Sequence, residues 1–255
     1  MTASLDRRIL SAVFVAVCAV ATPNLVLAQG TGLNRAEVAA IKAKLVAVQQ
    51  AMGGEPDGYA LESEDFGLPT NFNPAQGGRF WPITSNVSMH YTDRAAMQAE
   101  ENAEQMSADF EARYIAAVSS GNQAAANAMI AEMMQAQSAT NASQKENLHV
   151  NIQFNMNPYA GIDPDGVVFE KPGVIALKSN EKPDEVGQVS VYFDPIALRE
   201  TETLSSIELK TPENGVGNRS GVYNVTITIN GTMADAVALS QDIDVGAVLA
   251  VIDPQ

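Results

Sequence analysis

Cysteine is almost missing from this chain: 255 residues contain one, Cys18, and histidine occurs only as His90 and His149. Basic charge is scarce as well, with 15 Lys+Arg against 30 Asp+Glu and a formal net charge of −15. Nucleic-acid binding rests on Lys and Arg displacing counterions from phosphate, so no nucleic-acid partner is expected. No apolar run reaches the roughly 18 residues that a membrane-spanning helix needs. The longest, Ile9–Ala21, follows Arg7 and Arg8 and has signal-peptide proportions. Small residues at Val26-Leu27-Ala28 place the expected cut before Gln29, and Ala19-Val20-Ala21 offers a second site. Either cut removes Cys18, so the mature chain is expected to have no disulfide, thiolate or haem-attachment chemistry. An exported chain without cysteine fits a bacterial protein that is periplasmic or secreted.

Proline and glycine are missing over a long interior stretch. No proline lies between Pro82 and Pro158, and Gly121 is the one glycine between Gly78 and Gly161. Both residues interrupt helices, so their absence marks a helical insert. Within it, Ala99, Ala103, Met106, Phe110, Tyr114 and Ala117 make an apolar stripe. Ser119-Ser120-Gly121-Asn122 then breaks and recaps the chain, and a second helix is expected from Gln123 to about Ser138. The result is an α-hairpin. Two short helices bury little on their own, so the hairpin is expected either to dock on the β region or to form a homodimer. Ahead of it, Asn34 and Glu37 have capping-box spacing and Val38, Ile41, Leu45, Val48 and Met52 form a helical stripe ended by Gly53-Gly54. Residues 55–82, rich in Pro and Gly with aromatics between, read as a loop.

Strand alternation frames the hairpin, with Val87, Met89 and Tyr91 before it and Leu148, Val150, Ile152, Phe154 and Met156 after it. Short β runs follow at 166–170, 173–178, 187–194, 203–210 and 221–230. Asn230-Gly231 signals a tight hairpin into 232–239, although the Ala-rich stretch 233–240 also suits a short helix. Val245–Ile252 reads as a last core strand. The expected fold is α+β: an N-terminal helix and an α-hairpin followed by an antiparallel β-rich, sandwich-like C-terminal half. The expected regions are a cleaved signal at 1–28, helix and loop at 29–82, strand–hairpin–strand at 83–157 and β-rich chain at 158–255. Whether 83–157 and 158–255 share one core is open at this point.

Chemistry-bearing motifs are few. No glycine-rich phosphate loop is present, and serine and aspartate are too plentiful for a triad to be picked out by spacing. Asp163-Pro164-Asp165-Gly166 is turn chemistry, because a calcium-loop register would put Gly161 and Pro172 where ligands belong. The two histidines are expected to be solvent-facing and on unrelated parts of a sheet; if their strands pair, the imidazoles would share a face. Met106, Met129, Met133 and Met134 with His90 form a candidate soft-metal set suited to copper, against the ordinary reading of methionine as packing. The polar side of 148–157, His149, Asn151, Gln153, Asn155 and Asn157, with Trp81, is a candidate face for a sugar or peptide. No cofactor is expected. The overall expectation is a non-enzymatic binding, adaptor or structural module of the bacterial envelope, with an envelope protein, peptide or saccharide as partner; periplasmic metal handling is the alternative.

Overall fold

A computed structural model describes residues 32–71, 79–143, 146–156, 159–180, 182–193, 196–200, 205–209 and 217–254, with only the backbone described at 100, 102–108, 136–143, 159–160, 196–200, 205–206 and 208. The signal segment and Asn157 lie outside these residues.

Helix α1 (Arg35–Gln50) begins at the expected capping box: Asn34 Oδ1 accepts from the Glu37 amide at 3.0 Å, and Glu37 Oε2 accepts from the Asn34 amide at 2.8 Å. Its Ile41, Leu45 and Val48 are buried. Strands β1 (Tyr59–Gly67) and β2 (Ser85–Asp93) follow, then the hairpin helices α2 (Arg94–Ser119) and α3 (Gln123–Ser143), and then β3 (Leu148–Phe154). The remainder is β4 (Tyr159–Gly161), β5 (Val167–Lys171), β6 (Val174–Lys178), β7 (Val186–Phe193), β8 (Ile196–Glu200), β9 (Ser205–Leu209), β10 (Val225–Thr232), α4 (Met233–Gln241) and α5 (Val245–Leu249). The fold is α+β as expected.

Seven strands form an antiparallel sheet in the order β1-β2-β3-β10-β7-β6-β5, and β4-β9-β8 form a second, three-stranded sheet. In the large sheet every second residue enters one continuous core. Val87, Met89, Val150, Ile152, Val225, Ile227, Val189 and Val191 lie there with Leu45 and Val48 of α1, Met233, Ala236 and Leu239 of α4, and Val248 of α5. One core thus draws on residues before the hairpin, around it and after it. On the opposite face, Ile175 of β6 and Tyr192 of β7 pack with Ile207 and Leu209 of β9 in a smaller cluster. The sandwich-like layering is therefore local, confined to the β6–β7 part of the sheet.

Three expected elements differ. Residues 59–67 form strand β1 rather than loop; its run Glu62-Ser63-Glu64-Asp65 hides the apolar alternation, and charge of this kind suits an edge strand because it discourages pairing with another chain. Asn230-Gly231 is not a turn but lies inside β10. A Cβ at Gly231 would come within 2.2 Å of Leu148 Cδ2, so glycine there serves close approach, and 233–241 is helix α4, capped by Thr232. Val245–Leu249 is one helical turn rather than a strand, started by Asp244 Oδ1 accepting from the Ala247 amide at 3.0 Å; five apolar residues carry too little periodicity to tell the two apart. Asp163-Pro164-Asp165-Gly166 is the expected turn, with Asp163 Oδ1 accepting from the Asp165 amide.

Candidate functional site

Strand alternation sends the residues between the core positions to the other face of the large sheet. Because the pairing is in register across five strands, they line up in rows. Gly67, Asn86, Gln153, Thr226 and Tyr192 are successive partners; so are Asp65, Ser88, Asn151, Thr228 and Ser190; and so are Ser63, His90, His149, Asn230 and Gln188. Over β1, β2, β3 and β10 the face is thus made of amides, hydroxyls, imidazoles and one carboxylate. It turns apolar where β7 and β6 present Tyr192 and Ile175 to β9.

Side chains of the first two rows hold one another loosely. Asn86 Nδ2 donates to Asn151 Oδ1 at 3.5 Å and Ser88 Oγ donates to the same oxygen at 3.4 Å, both at the outer limit of hydrogen bonding. Such groups exchange these contacts for a ligand at little cost. Nearer the covered part, Thr226 Oγ1 and both polar atoms of Asn224 are buried without a hydrogen-bond partner among the described residues.

His90 and His149 are direct cross-strand partners. Their rings stack with centroids 4.3 Å apart and planes 27° from parallel. Pairing of the strands that flank the hairpin therefore brings the two imidazoles to one face, contrary to the expectation of unrelated positions; the alternation of both strands held the information, and only the register was missing. Partial burial, and then the neighbouring His90 imidazole, lower the pKa of His149 from its ordinary value. One row further along, an irregularity in β1 between Leu61 and Ser63 lets Glu62 Oε2 accept from Thr92 Oγ1 at 2.6 Å.

Of the other sequence candidates, Asn151 and Gln153 belong to the open face and Asn155 does not. Asn155 follows the end of β3 with φ 57°, and it is buried. Its Nδ2 donates to the carbonyls of Ile83 at 2.8 Å and Gly221 at 2.9 Å, and its Oδ1 accepts from the Tyr223 amide at 2.7 Å. Alternation fails there because the left-handed residue turns the chain, and asparagine tolerates that conformation better than most. Asn155 is a structural tie between three segments, not a ligand contact. Trp81 is 52% exposed, in the segment leading to β2. Sequence reasoning passed over Asn86, Ser88, Thr228 and Asn230, although β10 alternates polar Thr226, Thr228 and Asn230 with Val225, Ile227 and Ile229 as clearly as β3 does.

Of the methionine set, Met129, Met133 and Met134 share helix α3, whereas His90 is on strand β2. Met133 and Met134 are exposed on α3 and Met129 is half-buried, while the Met106 side chain lies outside the described ones. At about 1.5 Å per residue, Met133 stands about 15 Å along α3 from its sheet end. His90, meanwhile, faces His149. Among the described residues no group of three or more His, Cys, Asp or Glu is placed to hold a metal ion, and no helix is long and apolar enough to cross a membrane. Compared with known proteins, the chain matches no family model, no curated protein and no solved structure.

Proposed function

We propose that the chain is a non-enzymatic binding module exported to the bacterial envelope, periplasmic or secreted, that takes a saccharide or an extended peptide on the open polar face of its large sheet. The observation that carries this reading is the in-register row of Ser88, Asn151 and Thr228 with the parallel row of Asn86, Gln153 and Thr226 beside it. Amides and hydroxyls both donate and accept, which is what a ligand rich in hydroxyl or peptide groups requires, and none of these groups has to be desolvated as a charge. A sheet whose other face is filled by helices holds such a grid rigid, so little ordering entropy is lost on binding. The leader pattern at Arg7–Ala28 and the lack of cysteine after it support export.

The hairpin is a second surface. Ile115, Val118, Ile130, Met133 and Met134 are exposed along it, and we assign it to protein contact, with a second copy of this chain as the expected partner and another envelope protein as the alternative outcome of a sedimentation test.

Arrays of envelope saccharides and of peptides test the binding reading directly. The wild-type chain is expected to bind a subset, and Asn151→Ala with Gln153→Ala is expected to weaken that binding at least tenfold with no change in melting temperature beyond a few degrees. Equal binding by the double variant would place the site elsewhere.

A further inference from the structure

We propose that His90 and His149 form an open binding site for a borderline divalent transition-metal ion such as Zn²⁺ or Cu²⁺, one imidazole coming from each of two paired strands. The site stands at the end of the polar face and does not depend on what that face binds.

The donor chemistry is right for these ions. Neutral imidazole nitrogen is a preferred ligand for zinc and copper, and metal has to displace any proton from it.

The strand register sets the two side chains directly opposite each other, within reach of one ion. Two bonds of about 2.0–2.1 Å meeting at a tetrahedral angle hold the two nitrogens about 3.3 Å apart. The rings stack with their centroids 4.3 Å apart, so the lone pairs, which lie in the ring planes, run side by side, and the side-chain torsions must open the stack to turn one nitrogen of each ring towards a shared ion. The backbone is fixed: β2 is paired on both sides by β1 and β3, and β3 by β2 and β10, so neither histidine is on an edge strand. His90 is exposed and free to turn its ring outward. Two protein ligands leave the remaining coordination positions to water or to an incoming anionic group, which makes the site an open one.

Electrostatics work in the same direction. The Glu62 carboxylate, held by Thr92, lies one row from His90, and the chain carries −15 overall, so cations are concentrated near the face. Residues opposite the pair on the flanking strands, Ser63 and Asn230, are uncharged and leave no competing cation.

The test is clean because the chain has no third histidine and its one cysteine is Cys18. The chain without any added histidine tag is stripped with EDTA and titrated calorimetrically with zinc chloride and with copper(II) chloride. One ion per chain is expected, with Cu²⁺ bound more tightly than Zn²⁺, following the usual order for nitrogen sites. His90→Asn and His149→Asn should each weaken binding at least tenfold, the double variant little more than either, and Glu62→Gln only a few-fold. Circular dichroism of each variant controls for folding; exposed His90 is the one whose replacement leaves packing untouched. Saturable binding that survives both histidine substitutions, or no saturable binding up to millimolar metal, would overturn the proposal.

Discussion

Single side chains set the most local tests. The Tyr59 hydroxyl has two acceptors, Asp235 Oδ2 at 3.0 Å and the Glu146 carbonyl at 3.1 Å, and Thr232 Oγ1 donates to the same carboxylate oxygen at 2.5 Å. This ties β1, the start of β3 and α4 together. Removing a hydrogen bond to a charged group typically costs about 1.5–3 kcal/mol, and Tyr59→Phe is expected to lower stability by about that much in urea unfolding. Burial, and then the Asp235 hydrogen bond, raise the Tyr59 pKa well above its ordinary value of 10.0. A raised folded-state value means that the contribution is complete below pH 10 and is lost as pH rises through the folded-state value. The alkaline fall in wild-type stability should therefore flatten in Tyr59→Phe; an unchanged profile would mean that the phenol ionises alike in the folded and unfolded chain. Asn155 gives a second test. Asn155→Ala leaves buried carbonyls and an amide unpaired and forces alanine into the left-handed region, so a loss of about 3 kcal/mol or more is expected, with Asn155→Gly less damaging because glycine meets the same φ without strain.

Helices and strands differ in how far they can be read from sequence. α1 was legible to its cap because Asn34 and Glu37 satisfy each other locally, and the hairpin because Gly121 alone breaks a long glycine- and proline-free stretch. β1 was hidden by its charges, and the 230–252 region by the double meaning of Asn-Gly, which serves turns and close packing alike. The hairpin connects neighbouring strands: Tyr91 of β2 pairs with Leu148 of β3 at its base. The sheet needs only a link there, so replacing 95–145 with four Gly/Asn/Ser residues should leave cooperative unfolding and array binding intact. If the shortened chain unfolds without a cooperative transition, the hairpin is part of the folding unit. In the full chain, sedimentation should show a dimer that Ile115→Glu with Met134→Glu converts to monomer; a wild-type monomer would remove the second copy as partner.

Among the described residues the large sheet keeps its two faces apart: α1, α4, α5 and the core on one side, a polar grid and a short covered patch on the other. Alternation in β2 and β3 made the polar face of each strand visible in sequence, yet the site itself was not, because a row exists only once register is known across β1, β2, β3, β10 and β7. His90 against His149 shows this most plainly: two residues 59 apart become neighbours through one pairing. At the same scale, export predicts that the chain recovered from a bacterial envelope fraction begins at Gln29, which amino-terminal sequencing reads directly. The measurement that bears most directly on the account is nuclear magnetic resonance mapping of the ligand found on the arrays, titrated into the isotope-labelled chain. Amide shifts should gather at Ser88, Asn151, Gln153 and Thr228 and leave α1, α4 and the hairpin unmoved. Shifts centred on the hairpin or on the helical face would contradict the assignment of the open sheet as the working surface.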